Sequence, residues 1–489
     1  MNEINTKSVS KAAGWSLLTE ISLKLVSPIT NMILARLLLP SAFGLVATIT
    51  IVTSFADVLT DAGFQKYIIQ HEFDSDDAFE KSFCVALFSN IILSAVIISV
   101  IFAFQKPIAV LVGAPELSRA IAVSSIPILF NSYSSIQIAA YKRFFDFKTL
   151  FNIRILMAFL PIVTTVPLAF YLKSFWALVI GGLICSAAQF VLFLIKPKVK
   201  VVRFYSFGLF RKMFSFSFWT LLESLTIWLT SNVDIFIVGK ALNDHYLGIY
   251  KTSMSTVSSF MNVISAAVIP VLFSTLSRYQ NDDIKFKKAF FDFQKILSIF
   301  LIPMGFGIFL FRELATYIYL GESWSEAADF IGVYSIAASV RIIICYFASE
   351  VFRSKGQPRI SMIYQWIFII FFVPFITSAS KRSFEVLCML RSLSAIVFAL
   401  LALAFLHILY KIKIFEIIRN LFPQTISSLI MLVSGSFLKP YFQSLPLQII
   451  LIVICVIIYF GILMLFKSTR TLLYKKEYLQ VIKSGRKGD

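Results

Sequence analysis

The stretch Gly14–Gln70 reads GWSLLTEISLKLVSPITNMILARLLLPSAFGLVATITIVTSFADVLTDAGFQKYIIQ. Two apolar segments flank a short turn, Leu39-Pro40-Ser41-Ala42-Phe43-Gly44. Each segment is long enough to cross a bilayer, whose hydrocarbon core of ~30 Å takes about 20 helical residues. Each also carries ionisable groups far from its ends, Glu20 and Lys24 in the first and Asp57 and Asp61 in the second. A charge at membrane depth costs at least ~2.5 kcal/mol on insertion scales, so such groups face a wet cavity or a partner. The stretch therefore predicts a lipid-embedded helical hairpin with a polar inner face.

Working outward, the same character holds over the whole chain. The 489 residues are 58% hydrophobic and only 15% charged, with a mean hydropathy of +0.84. A soluble protein of this length has no interior large enough for so much apolar surface. Long unbroken apolar runs predict helices rather than the alternating strands of a barrel. The first segment lacks a small-residue cleavage site and reads as a retained span. Fourteen spans are expected, at about 12–35, 43–63, 82–104, 118–139, 152–171, 175–195, 213–238, 246–276, 291–311, 327–350, 359–379, 384–408, 418–438 and 446–466.

The net charge of +19 is spread over short loops rather than gathered in one patch, which argues against nucleic-acid binding. Most of the 45 lysines and arginines fall on one side of the expected topology, which includes both termini and the tail Lys467–Lys487. The other side carries few, among them Lys240 and Lys251. By the positive-inside rule this places both ends in the cytoplasm. The five cysteines sit singly in apolar spans and the three histidines are scattered, so neither disulfides nor a metal site are expected. There is no Walker motif, no GxSxG and no HExxH, and no outer loop of catalytic size, so the expected role is not that of an enzyme and no catalytic residue or cofactor is assigned.

The chain repeats itself. Trp15-Ser-Leu-Leu, Arg36-Leu-Leu-Leu and Phe43-Gly44-Leu45 recur as Trp219-Thr-Leu-Leu, Lys240-Ala-Leu-Asn and Leu247-Gly248-Ile249, at a constant offset of 204 residues. The reading is an all-α polytopic protein of about fourteen transmembrane helices, with two pseudo-symmetric six-helix lobes and a C-terminal helix pair. The boundaries are 1–203 for the N-lobe, 204–409 for the C-lobe and 410–489 for the last two helices with a basic tail. Parallel repeats put the expected site between the halves.

Candidate ligands to a cargo follow from polar stripes. On the first span Glu20, Lys24 and Asn31 fall on one helical face, on the second Asp57 and Asp61, and on the seventh Glu223 and Asp234. Arg341 lies near the middle of its span beside Ala337 and Ala338, which leave room for a guanidinium. Arg391 lies nearer a span end, where snorkelling to the interface is an alternative. A plain i,i+4 ion pair is the competing reading of Glu20 and Lys24.

The segment from Ala35 to Gln70, together with Tyr141-Lys142-Arg143, Phe147-Lys148 and Gly356-Gln357-Pro358-Arg359, resembles bacterial polysaccharide exporters of the colanic acid, amylovoran and teichuronic acid group. These belong to the polysaccharide transporter branch of the multidrug/oligosaccharidyl-lipid/polysaccharide superfamily. The resemblance implies a Wzx-type flippase in the bacterial cytoplasmic membrane, moving an undecaprenyl-pyrophosphate-linked oligosaccharide by alternating access, with cavity cations on the anionic cargo. It also implies lipid-linked oligosaccharide and membrane lipids as partners, with polysaccharide polymerase or export machinery downstream. Coupling to a proton or to sodium is left open. The rival reading is a drug/cation antiporter of the related branch, for which Asp57, Asp61, Glu223 and Asp234 would serve.

Overall fold

The computed structural model describes residues 6–61 and 63–466, and among these every regular element is helical. Two compact units result, Met1–Lys251 and Thr252–Asp489. The division falls inside a helix, whereas the lobe boundaries expected at 203/204 and 409/410 follow the sequence repeat. The basic tail from Lys467 lies outside the described residues.

The first unit contains α1 (Thr6–Leu37), α2 (Pro40–Asp61), α3 (Phe64–Gln70), α4 (Asp76–Ala103), α5 (Gln105–Leu111), α6 (Ser118–Arg143), α7 (Phe147–Val163), α8 (Thr165–Leu172), α9 (Trp176–Ile195), α10 (Phe207–Ala241) and the first turns of α11 (Asp244–Arg278). Pro40 opens α2, where its fixed φ suits a helix start and its missing N–H would have had no partner. Ser75 caps α4, its side chain accepting from the Ala78 N–H at 3.1 Å, with Asp76 and Asp77 in the positive first turn. Ser206 caps α10 in the same way.

Helix α6 lies at the middle of this unit, packed on α2, α4 and α9. It is rich in serine, and its buried Ser125, Ser132 and Ser134 hydroxyls return to carbonyls of their own helix. Those hydroxyls lower its hydropathy without exposing a polar group to lipid. Its Gln137 and Tyr141 bond the loop carbonyls of Val199 and Lys196 at 3.1 and 2.8 Å. Arg143, at its end, donates to the carbonyls of Ile68, Ile69 and His71 and lies over the rings of Phe73 and Phe79. This part of the motif through which the chain resembles the exporters therefore ties α3 to the bundle. Next to it, Asp146 caps α7 and takes the Lys198 ammonium at 2.8 Å. Burial opposes ionisation of Asp146, but the bonds from Lys198 and Thr149 outweigh it and hold the carboxyl below its ordinary range.

The second unit contains the rest of α11, then α12 (Asp283–Leu310), α13 (Arg312–Tyr319), α14 (Ala328–Val340), a π-helical turn at Arg341–Tyr346, α15 (Phe347–Ser354), α16 (Pro358–Ser380), α17 (Phe384–Tyr410), α18 (Ile414–Leu438) and α19 (Leu445–Leu465). Here α12 packs on α14 and α18, α14 on α17, and α18 on α19. The α12–α18–α19 contact closes around Leu310, Met431, Leu451, Cys455 and Tyr459, and the Tyr459 hydroxyl donates to the Ile299 carbonyl at 2.7 Å.

Among the described residues, eleven helices are long and apolar enough to cross a membrane. A twelfth is added if the bent pair Asp244–Ala266 and Val268–Arg278 is one span. The bend has a cause in the sequence, because Pro270 has no N–H to return to the Ala266 carbonyl. Of the fourteen expected spans, α6 has the length but falls short of that measure, and much of the first span lies outside the residues whose side chains are described.

Candidate functional site

In the first unit the polar residues gather where α2 and α3 run along α10. At the turn end α2 and the start of α11 touch backbone to backbone. A Cβ on Gly44 would overlap the Asp244 carbonyl, and one on Gly248 would overlap the Pro40 carbonyl. Only glycine allows this approach, and the contact is reciprocal between two residues 204 apart in sequence. Further along, the Trp228 indole N–H donates to Ser54 Oγ at 3.0 Å and its ring lies 4.9 Å from that of Phe55. At the far end Phe64 meets Phe210 at 6.2 Å, and Lys66 pairs with Glu223 at 3.6 Å. The Lys66 side chain is 48% exposed, so this ion pair contributes no more than about 1 kcal/mol.

The expected ligands of this unit are distributed as follows. Lys24 is half-buried on α1, a helix that lies along α7 and α8, and Asn31 is exposed on the same helix. Asp57 is half-buried on α2. The side chains of Glu20 and Asp61 lie outside the described residues. Glu223 is half-buried and engaged by Lys66. Asp234 is fully buried, accepting from the Tyr250 hydroxyl at 3.0 Å and from the Ile235 N–H at 2.9 Å. Lys251, at the start of the expected span 246–276, lies within α11 and is half-buried, with Asp234 as the opposing charge that acts on it. Trp228 was not singled out from the sequence. An indole N–H inside a span requires a partner, and that was the available signal.

In the second unit Arg341 and Arg391 come together around one aromatic cluster. Arg391 is 4% exposed, its guanidinium 5.6 Å from the Tyr334 ring centre and 5.2 Å from that of Phe372, with Nη1 donating to Ser394 Oγ at 3.2 Å. It therefore does not snorkel, since the rings of α14 and α16 enclose it. Arg341 opens the π-helical turn, is half-buried, and lies 5.8 Å from the Tyr346 ring centre. Its Nε is buried without a hydrogen-bond acceptor. Arg391 is also among the charges that bear on it, so two guanidiniums share this part of the unit. Turns of π-helix are rare and occur often at functional sites. Two cations held against ring faces, one with an unfilled donor, form a surface that suits an anion.

Known proteins can be set against this geometry. The backbone is similar to that of a lipid II flippase, MurJ, in an inward closed conformation, with a TM-score of 0.76 and 16% identity over 93% of this chain and 99% of that one. An inward-facing multidrug resistance MATE family transporter gives 0.58 and 13%, covering 81% and 98%. In sequence, the chain is 23% identical to the succinoglycan biosynthesis transport protein ExoT of Rhizobium meliloti, covering 75% of this chain and 73% of the relative. It is 21% identical to the teichuronic acid biosynthesis protein TuaB of Bacillus subtilis, covering 73% of each. The family model described as polysaccharide biosynthesis protein matches residues 33–329, well over half of the chain. With its fold and both hairpins inside or overlapping that match, this chain belongs to the polysaccharide biosynthesis protein family.

Proposed function

We propose that this protein is a flippase that moves an oligosaccharide linked to undecaprenyl pyrophosphate from the inner to the outer leaflet of the bacterial cytoplasmic membrane. It is a membrane transporter of polysaccharide biosynthesis and not an enzyme. The mechanism is alternating access between two six-helix lobes, 1–203 and 204–409, with 410–489 as an appended pair and tail. With α1 and α6 also crossing the bilayer, shielded by their neighbours, the spans number fourteen and both ends lie in the cytoplasm. Membrane lipids and the polysaccharide polymerase are the partners on this reading.

The observation that carries it is Arg341, a guanidinium near the middle of a span with a buried Nε that has no acceptor. An unfilled donor on a permanent cation inside a membrane calls for an anion, and a pyrophosphate presents acceptors that a fork of N–H groups can grip. Within the first unit, Lys24 offers a point charge from α1, and Asp57 and Asn31 offer polar groups suited to sugar hydroxyls. Of the four carboxylates that would serve a cation antiporter, Glu223 is engaged by Lys66 and Asp234 by Tyr250.

A charged hydrogen bond contributes about 1.5–3 kcal/mol, so loss of one such contact weakens cargo binding roughly tenfold or more. Cells carrying Arg341→Ala or Lys24→Ala should insert the protein at normal level, export less polymer, and accumulate lipid-linked oligosaccharide on the cytoplasmic leaflet. Normal export in the double alanine variant would remove the assignment.

A further inference from the structure

The π-helical turn at Arg341 holds one residue more than the internal repeat requires. The span made of α14, the π turn and α15 repeats α6. Ile121-Ala-Val-Ser-Ser-Ile recurs as Ile331-Gly-Val-Tyr-Ser-Ile at an offset of 210 residues, and Tyr141-Lys142 recurs as Phe352-Arg353 at 211. The turns that follow also match at 211. Phe145 and Gly356 both have positive φ, 54° and 71°. The N–H groups of Asp146 and Gln357 return to the Tyr141 and Phe352 carbonyls at 3.0 and 2.9 Å. One residue has therefore been added in the second copy between Ile336 and Phe352. Helix α6 is α-helical throughout, whereas its counterpart contains the π turn at Arg341–Tyr346. A π turn closes i→i+5 bonds and takes one residue more than an α turn, so the addition is absorbed there.

The addition changes which side chains meet. In a regular α-helix, residues five apart point about 140° away from each other. Across the wider turn the Arg341 guanidinium lies 5.8 Å from the centre of the Tyr346 ring. The matching residues of α6 are Asn131 and Ser135. Ser135 serves helix packing there, its Oγ accepting from the Asn90 amide of α4 at 3.2 Å. Tyr346 is instead 39% exposed, with its ring beside the cation. The second copy thus has a cation and an open aromatic ring side by side, where the first has two small polar residues on a regular helix.

We propose, resting on the flippase reading, that this turn is the specificity element of the site and that Tyr346 receives the sugar attached to the pyrophosphate. A pyranose presents C–H groups on the faces of its ring and hydroxyls around its rim. A phenol ring accepts the apolar face, and its hydroxyl bonds to the rim. The pyrophosphate is joined directly to that sugar, so a ring beside the guanidinium that grips the phosphates is within reach of it. The isoprenoid end of the cargo offers the phenol hydroxyl no partner. Arg341 then reads the charge common to all such lipids, and Tyr346 reads whether a sugar is attached.

Binding to the full chain in detergent provides the experiment, with undecaprenyl pyrophosphate and an undecaprenyl-pyrophosphate-linked monosaccharide as probes. Arg341→Ala should weaken both lipids alike. Tyr346→Ala should weaken the sugar-linked lipid roughly fivefold more than the bare one, and Tyr346→Phe should restore most of the difference. Deletion of Ile344, which takes the extra residue out of the turn, should produce both losses together while the melting temperature is kept. Equal weakening of the two lipids by Tyr346→Ala, as expected of a ring that only holds the guanidinium or meets the isoprenoid, would overturn the assignment. So would weakening of neither. Binding of both lipids by the deletion variant as tightly as by the wild type would overturn the role of the turn. Transport in proteoliposomes separates this site from the reading on which it rests. A Tyr346-dependent preference in a protein that leaves the lipid in its leaflet would keep the site and count against the flippase. Normal transport with no such preference would do the reverse.

Discussion

The two hairpins α1–α2 and α10–α11 are one design with different chemistry. Both turn over two residues, between Leu37 and Pro40 in the first and between Ala241 and Asp244 in the second, at the same offset of 204. Both place a glycine one turn past the bend, and those glycines touch each other's backbones. The polar positions differ. Where the first hairpin has Lys24 the second has Trp228, and where the second has Asp234 and Lys251 the first has Thr30 and Ala47. What the copies share is what brings the helices together. What differs is free of that constraint, and the proposed cargo-binding cation Lys24 is one of these positions.

The shared part gives the largest expected effect. Leucine at position 44 or 248 must force apart two backbones, since the obstacle is a carbonyl and not a side chain that can rotate away. Each substitution should cost about 3 kcal/mol or more, at the upper end of overpacking effects, and lower the detergent melting temperature by similar amounts. If one glycine tolerates leucine and the other does not, the two hairpins are not equivalent. Next comes the pair of positions that differ. Trp228→Ala loses a hydrogen bond and a ring contact and should destabilise by on the order of 2 kcal/mol, below a fully buried tryptophan. Lys24→Ala, at the matching place, should leave melting unchanged and lower export. A melting loss equal to that of Trp228→Ala would make Lys24 a packing residue. The smallest effect is at the far end, where Glu223→Gln should change stability by less than about 1 kcal/mol, and less still in high salt, as read by melting at two ionic strengths.

These contrasts also show what could be read in advance. The helices were legible because apolar length is a property of each segment alone, and the repeat was legible because its turn chemistry was kept. Helix α6 is the instructive exception on hydropathy. Its serines bond their own backbone, so a helix at the middle of the first unit falls short of the apolar measure that α9 meets. The arginines were legible as intramembrane charges, but the burial of Arg391 was not, because the rings that enclose it come from α14 and α16. Asp234 lies on α10 and Lys251 on α11, and the opposition of their charges comes from the fold and not from spacing along one helix.

The central claim is that the intramembrane cation Arg341 selects an anionic, pyrophosphate-bearing lipid. The most direct measurement is binding to the purified protein in detergent, with undecaprenyl pyrophosphate, undecaprenyl phosphate and a hydrophobic organic cation compared side by side. The account predicts that the pyrophosphate lipid binds most tightly, that Arg341→Ala weakens it roughly tenfold, and that the cation does not compete. Tight binding of the cation, with pyrophosphate lipid indifferent to Arg341→Ala, would contradict it.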